Sequence, residues 1–159
     1  MEIKKGKHRS GLHFGLHKSK QFKYIANFKK AWFEKRNADD EDINKLCGFS
    51  YGWHHNDSFR IGWKPDFAIP GMINLYAYWY NKGKRFNSKF ITTVCENEDL
   101  IIKINVCKDM IDYVICNSNF TDGFIDFIKP KYKCGYYLYP YFGGNNTAPM
   151  DIKIKLDNI

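Results

Sequence analysis

Within seven residues, His54-His55-Asn56-Asp57-Ser58-Phe59-Arg60 brings together two imidazoles, a hydroxyl and a guanidinium. Arg offers a fork of donors that matches phosphate or carboxylate, and His can donate or accept, so this set suits an anion. The polar-loop alternative has the same side chains bonding their own backbone. Farther along, Tyr76 and Tyr78 lie on one face of an alternating run, where their rings can stack on a base or a sugar. Near the end, Tyr141 precedes Gly143-Gly144-Asn145-Asn146, and the Asn145 and Asn146 amides complete a candidate ligand-binding set of His54, His55, Ser58, Arg60, Tyr76, Tyr78, Tyr141, Asn145 and Asn146.

Acid–base chemistry is a weaker reading. His54 or His55 would act as base with Tyr141 or Arg60 assisting, in a hydrolase or lyase. No carboxylate pair, nucleophile elbow or metal triad accompanies them, so no catalytic residue, metal or cofactor is assigned. His8-Arg9-Ser10 and His17-Lys18-Ser19 both read H-x-S, a pattern that two-histidine phosphodiesterases use from separate strands. Nine residues apart in one irregular segment, they are poorly placed for it. Metal binding by His13 and His17 would need a helix, which Gly15 disfavours.

The elements that position these groups are strands. Phe22, Tyr24, Ala26 and Phe28 alternate with other residues, as do Ile73, Leu75, Ala77 and Trp79, and Leu100, Ile102, Ile104 and Val106. Asn81-Lys82-Gly83-Lys84 signals a hairpin whose return strand is Arg85 to Val94. Further strands are expected from Ala31 to Phe33, Met110 to Cys116, Phe124 to Ile128, Cys134 to Tyr139 and Asp151 to Leu156. Residues 37–42 form an acidic loop or a single helical turn. The expected fold is all-β: a single-domain sandwich or jelly roll of about ten short antiparallel strands over 21–159, preceded by a basic arm over 1–20.

Composition agrees with strands and with an anionic partner. Aromatic residues make up 18% of the chain, a bias that favours pleated surfaces. The net charge is +8, and it is concentrated: residues 1–36 hold eleven Lys/Arg against two Glu. Such a field attracts nucleotides, nucleic acid or acidic glycans. Five cysteines without a CxxC fit neither a zinc site nor a disulfide framework. With no signal-peptide pattern and no long apolar run, a cytoplasmic protein that does not enter membranes is expected. A homo-oligomer is compatible with the sequence.

The stretches Asn44-Lys45-Leu46, Gly48-Phe49-Ser50, His54-His55, Ser58, Arg60 and Gly62-Trp63 are followed by Tyr76, Tyr78 and Asn81-Lys82-Gly83. With Tyr139-Pro140-Tyr141-Phe142-Gly143-Gly144-Asn145, Ala148-Pro149 and Asp151-Ile152, they resemble a group of uncharacterised small β-sandwich proteins of gut Bacteroidota and their phages. The resemblance implies a sandwich fold and a phage or bacterial origin. That group often carries His where Met150 stands here, so any chemistry of that His is missing.

Together these readings favour a non-enzymatic binder of an anionic phosphorylated ligand. A nucleotide is the expected ligand, a cyclic signalling nucleotide included, which a phage protein would sequester in the host cytoplasm to evade defence. A carbohydrate-binding or virion structural module is the alternative from a different class.

Overall fold

The computed structural model describes residues 1–159 except 87, 118–119 and 131–133. Residue 87 falls in the run expected as one strand from Arg85 to Val94, and lies outside the described residues. The chain forms two antiparallel sheets stacked face to face, the expected β-sandwich. The first sheet runs in the order β1 (Glu2–Ile3), β13 (Ile152–Asn158), β3 (Gln21–Lys30), β9 (Asp99–Val106), β10 (Met110–Cys116), β11 (Phe120–Asp126). The second runs β2 (Leu16–His17), β12 (Gly135–Leu138), β4 (Asn44–Ser50), β5 (Ser58–Pro65), β6 (Met72–Asn81), β7 (Lys84–Arg85), with β8 (Lys89–Cys95) also on β6. Ala38–Glu41 is one 3-10 turn, capped by Asn37, whose side chain accepts from Asp39 N. Ala31 to Phe33, expected as strand, is irregular.

Alternation decides which residues enter the core. Successive strand side chains point to opposite faces, so Phe22, Tyr24, Ala26 and Phe28 of β3 meet Phe49, Phe59, Ile61 and Trp63 across the interior, all buried. Phe22 stacks on Phe49 at 4.5 Å, and Phe59 on Tyr113 at 5.9 Å. Each such ring taken out of water contributes about 1.5–3 kcal/mol.

Residues 1–20 are laid along both sheets. Glu2 pairs with Lys153, and His17 with Gly135. Gly6 N donates to Ala148 O at 2.9 Å, and Phe142 N to His8 O at 2.7 Å. The two H-x-S histidines therefore go different ways. His8 Nδ1 sits 3.0 Å from Phe142 O, whereas His17 is buried among Phe22, Phe49, Tyr51 and Tyr137. They share no cleft.

Candidate anion-binding cavity

One row of register partners crosses the second sheet: Leu138 opposite Gly48, Gly48 opposite Arg60, Arg60 opposite Tyr78. Directly opposed residues share a face, and this is the face away from the core, because Phe49, Phe59 and Ile61 take the other side. Gly48 leaves a gap in the row. An added Cβ there would stand 2.1 Å from Phe59 O and 2.8 Å from Arg60 Cα. Gly48→Ala is expected to cost about 2–4 kcal/mol of stability, read from the urea midpoint; an unchanged midpoint would mean that β5 yields at Phe59.

Above this row lies a cavity of about 630 Å³. Its floor is Arg60, Tyr78 and Lys45. One wall is Tyr136 to Tyr141, and another is His54 with His55. The Arg9–Phe14 segment forms the remaining wall, contributing Arg9 and Gly11 to Phe14. That segment is held by paired contacts of Arg9 and Lys45 with Tyr141, and by Tyr137 N donating to Gly15 O at 2.9 Å.

The histidine wall is positioned by buried polar bonds. Ser58 Oγ donates to His54 O at 2.6 Å, and Tyr51 N to Asp57 O at 2.8 Å. Asp57 Oδ1 accepts from Asn81 Nδ2 at 3.0 Å and Lys82 N at 2.9 Å. Fully buried and so engaged, Ser58 builds the loop and does not line the cavity. His54 and His55 rings lie 4.3 Å apart, and His54 Nδ1 is 3.4 Å from Tyr136 Oη. Burial, then Arg60 and His55, push His54 down to about 4.

Cations crowd the Tyr78 ring. The Arg60 guanidinium lies 5.9 Å from the centre of the Tyr78 ring, Lys45 Nζ 5.0 Å and the Arg85 guanidinium 5.1 Å. Arg60 is 9% exposed, and its Nε has no hydrogen-bond partner among the described residues. Burial lowers its pKa. Burial, with Arg60 beside it, brings Lys45 down to about 8, although Asp42 acts in the other direction. Lys45 Nζ donates to Ile43 O at 2.6 Å. Among the described residues, no Asp or Glu lines the cavity.

The structure thus brings His54, His55, Arg60, Tyr78 and Tyr141 to one cavity and leaves four of the expected residues elsewhere. Ser58 is the buried brace just described. Tyr76 lies on the same sheet face but outside the cavity, with its ring 5.7 Å from Phe90 and Lys64 Nζ over it. Asn146 Nδ2 donates to Asn37 Oδ1 at 2.7 Å and Asp40 Oδ1 at 2.8 Å, and Asn145 is exposed away from the lining. The glycine pair explains this placement. Gly143 N donates to Asn44 Oδ1 at 2.7 Å, and Gly144, at φ +72°, packs where a Cβ would come within 2.0 Å of the Asp42 carboxylate. Only the entrance to that loop, Tyr139 to Tyr141, reaches the site.

Lys45, Tyr136 and the Arg9–Phe14 wall were missed. Lys45 is obscured by a register shift between Lys45 and Cys47 that breaks the alternation of β4. Tyr136 and Leu138 keep a period of two, and aligning β12 with β4 would have placed them. Among the described residues, no group of three or more His, Cys, Asp or Glu could hold a metal ion, and no helix is long and apolar enough to cross a membrane. Compared with known protein families and curated proteins, the sequence matches no family model and no individual protein.

Proposed function

We propose that the protein binds an anionic phosphorylated ligand bearing a ring system, a nucleotide, in the cavity over Arg60. The observation that carries this reading is the buried Arg60 in a cavity that no carboxylate lines among the described residues. A buried charge costs several kcal/mol unless something neutralises it. A ligand phosphate would do so through charge-assisted hydrogen bonds. The tyrosines and histidines of the walls give a base or sugar apolar faces to stack on.

Binding without turnover fits the same groups. An imidazole held at about 4 is a weak base at neutral pH, so His54 serves better as a neutral hydrogen-bonding wall. Calorimetry with linear and cyclic nucleotides at low salt tests the proposal. Heat should be released, and affinity should fall as salt rises. No binding at low salt, or a neutral glycan that binds equally well in high salt, would overturn it.

A further inference from the structure

We infer that the cavity takes a nucleoside phosphomonoester end-on, phosphate inward and base outward, and discriminates against cyclic phosphodiesters. This rests on the anionic-ligand reading above and narrows it. The first support is the gradient of burial. The charge-bearing floor is deep, with Arg60 9% and Tyr78 6% exposed. The apolar and aromatic groups of the mouth are shallow: Tyr141 is 41%, Phe14 73% and Leu12 87% exposed. A ligand therefore enters with its anion leading and its ring trailing.

Geometry at the floor then limits what can be attached to that anion. A phosphomonoester has one ester arm, which can lead back to the mouth. A cyclic diester has two, both closing on the same ribose, so it turns two free oxygens to Arg60 and Lys45 where a monoester turns three. Charge points the same way. Arg60 and Lys45 both approach the Tyr78 ring, so the floor presents two cations. A terminal phosphate carries between one and a half and two negative charges, about, near neutral pH, whereas a diester carries one. At the mouth, the His13 ring sits 5.3 Å from Tyr139, and both line the cavity together with Tyr141. These rings flank the place where a trailing base would lie. The same chemistry is offered by a free mononucleotide and by the phosphorylated end of an oligonucleotide.

Calorimetry on the full chain decides the matter. The probes are the four nucleoside 5′-monophosphates, their 3′,5′-cyclic counterparts, the nucleosides, and a short oligonucleotide with and without a 5′-phosphate. At least one monophosphate should bind about tenfold or more tightly than its cyclic form. Lys45→Gln should shrink that ratio, because the floor then offers the phosphate one cation, Arg60, in place of two. If the phosphorylated oligonucleotide matches the monophosphate, the cavity reads ends; if only the monophosphate binds, it holds free nucleotides, and either result supports end-on entry. A cyclic form that binds as tightly as its monophosphate, with affinity lost in Arg60→Met, would overturn the end-on inference and leave the anionic reading standing. If no probe binds, or Arg60→Met changes no affinity, the anionic reading itself falls.

Discussion

Arg60→Met should make the protein more stable and, at the same time, a poorer binder. The guanidinium is buried on the sheet face with Tyr78 against it and, among the described residues, no carboxylate in the cavity. Among the described residues its desolvation is offset by Tyr78, with Tyr136 and Tyr80 also acting on it, and a ring–cation contact recovers about 0.5–2 kcal/mol. Replacing such a buried charge by an apolar residue of similar length removes that cost, and Met keeps contact with the aromatic ring through its thioether. A gain of about 1–3 kcal/mol is expected, which in a domain of this size raises Tm by about 3–10 °C. Nucleotide affinity should fall about 30-fold or more, the loss typical of removing a charge-assisted pair. Thermal unfolding and calorimetry on the same preparations check both halves. A variant that unfolds earlier would show that Arg60 stabilises the free protein, and would remove the main reason to regard it as a ligand group.

The fold was readable in the sequence wherever a strand was long enough to show a period. Met110–Cys116 matches its expected bounds, and Phe22, Tyr24, Ala26 and Phe28 all face the core as their alternation requires. Short strands have no period to read. Glu2–Ile3 and Leu16–His17 are two residues each, and their partners, Lys153 and Gly135, lie more than a hundred residues away. The basic segment 1–20 therefore looked like an arm, although it supplies a wall of the cavity. For the site, Arg60, His54, His55, Tyr78 and Tyr141 gather at one cavity, whereas Tyr76 and Asn145 lie outside its lining, Ser58 bonds His54 O, and Asn146 bonds Asn37 and Asp40. A lone sequence does not distinguish a polar group that braces a loop from one that waits for a ligand. The distinction is whether a partner is already in place, and for Arg60 Nε none is among the described residues.

Asp40→Ala should be strongly destabilising, because this carboxylate ties the last loop to the rest of the sandwich. Its side chain is fully buried and accepts from Arg36 N at 2.8 Å, Arg36 Nε at 3.0 Å, Arg36 Nη2 at 2.6 Å and Asn146 Nδ2 at 2.8 Å. Removing it leaves those donors without their acceptor, and Arg36, 39% exposed, can turn to water for part of its loss. A cost of about 2–4 kcal/mol is expected, seen as a lower urea midpoint. The pH dependence should carry the same signature. Burial opposes ionisation of Asp40, but its bonds to Arg36 and Asn146 outweigh it and hold the carboxyl at about 2, below its ordinary 3.8. The folded state then binds fewer protons than the unfolded state in that interval. The stabilisation is therefore complete above about 4 and is lost as pH falls towards 2. Asp40→Asn should flatten that segment of the acid-unfolding curve relative to the parent protein. Because Gly143 and Tyr141 hold the cavity end of the loop through Asn44 and Lys45, affinity for a nucleotide should change much less than stability. Equal losses of both would mean that the Asn146 anchor also sets the shape of the cavity.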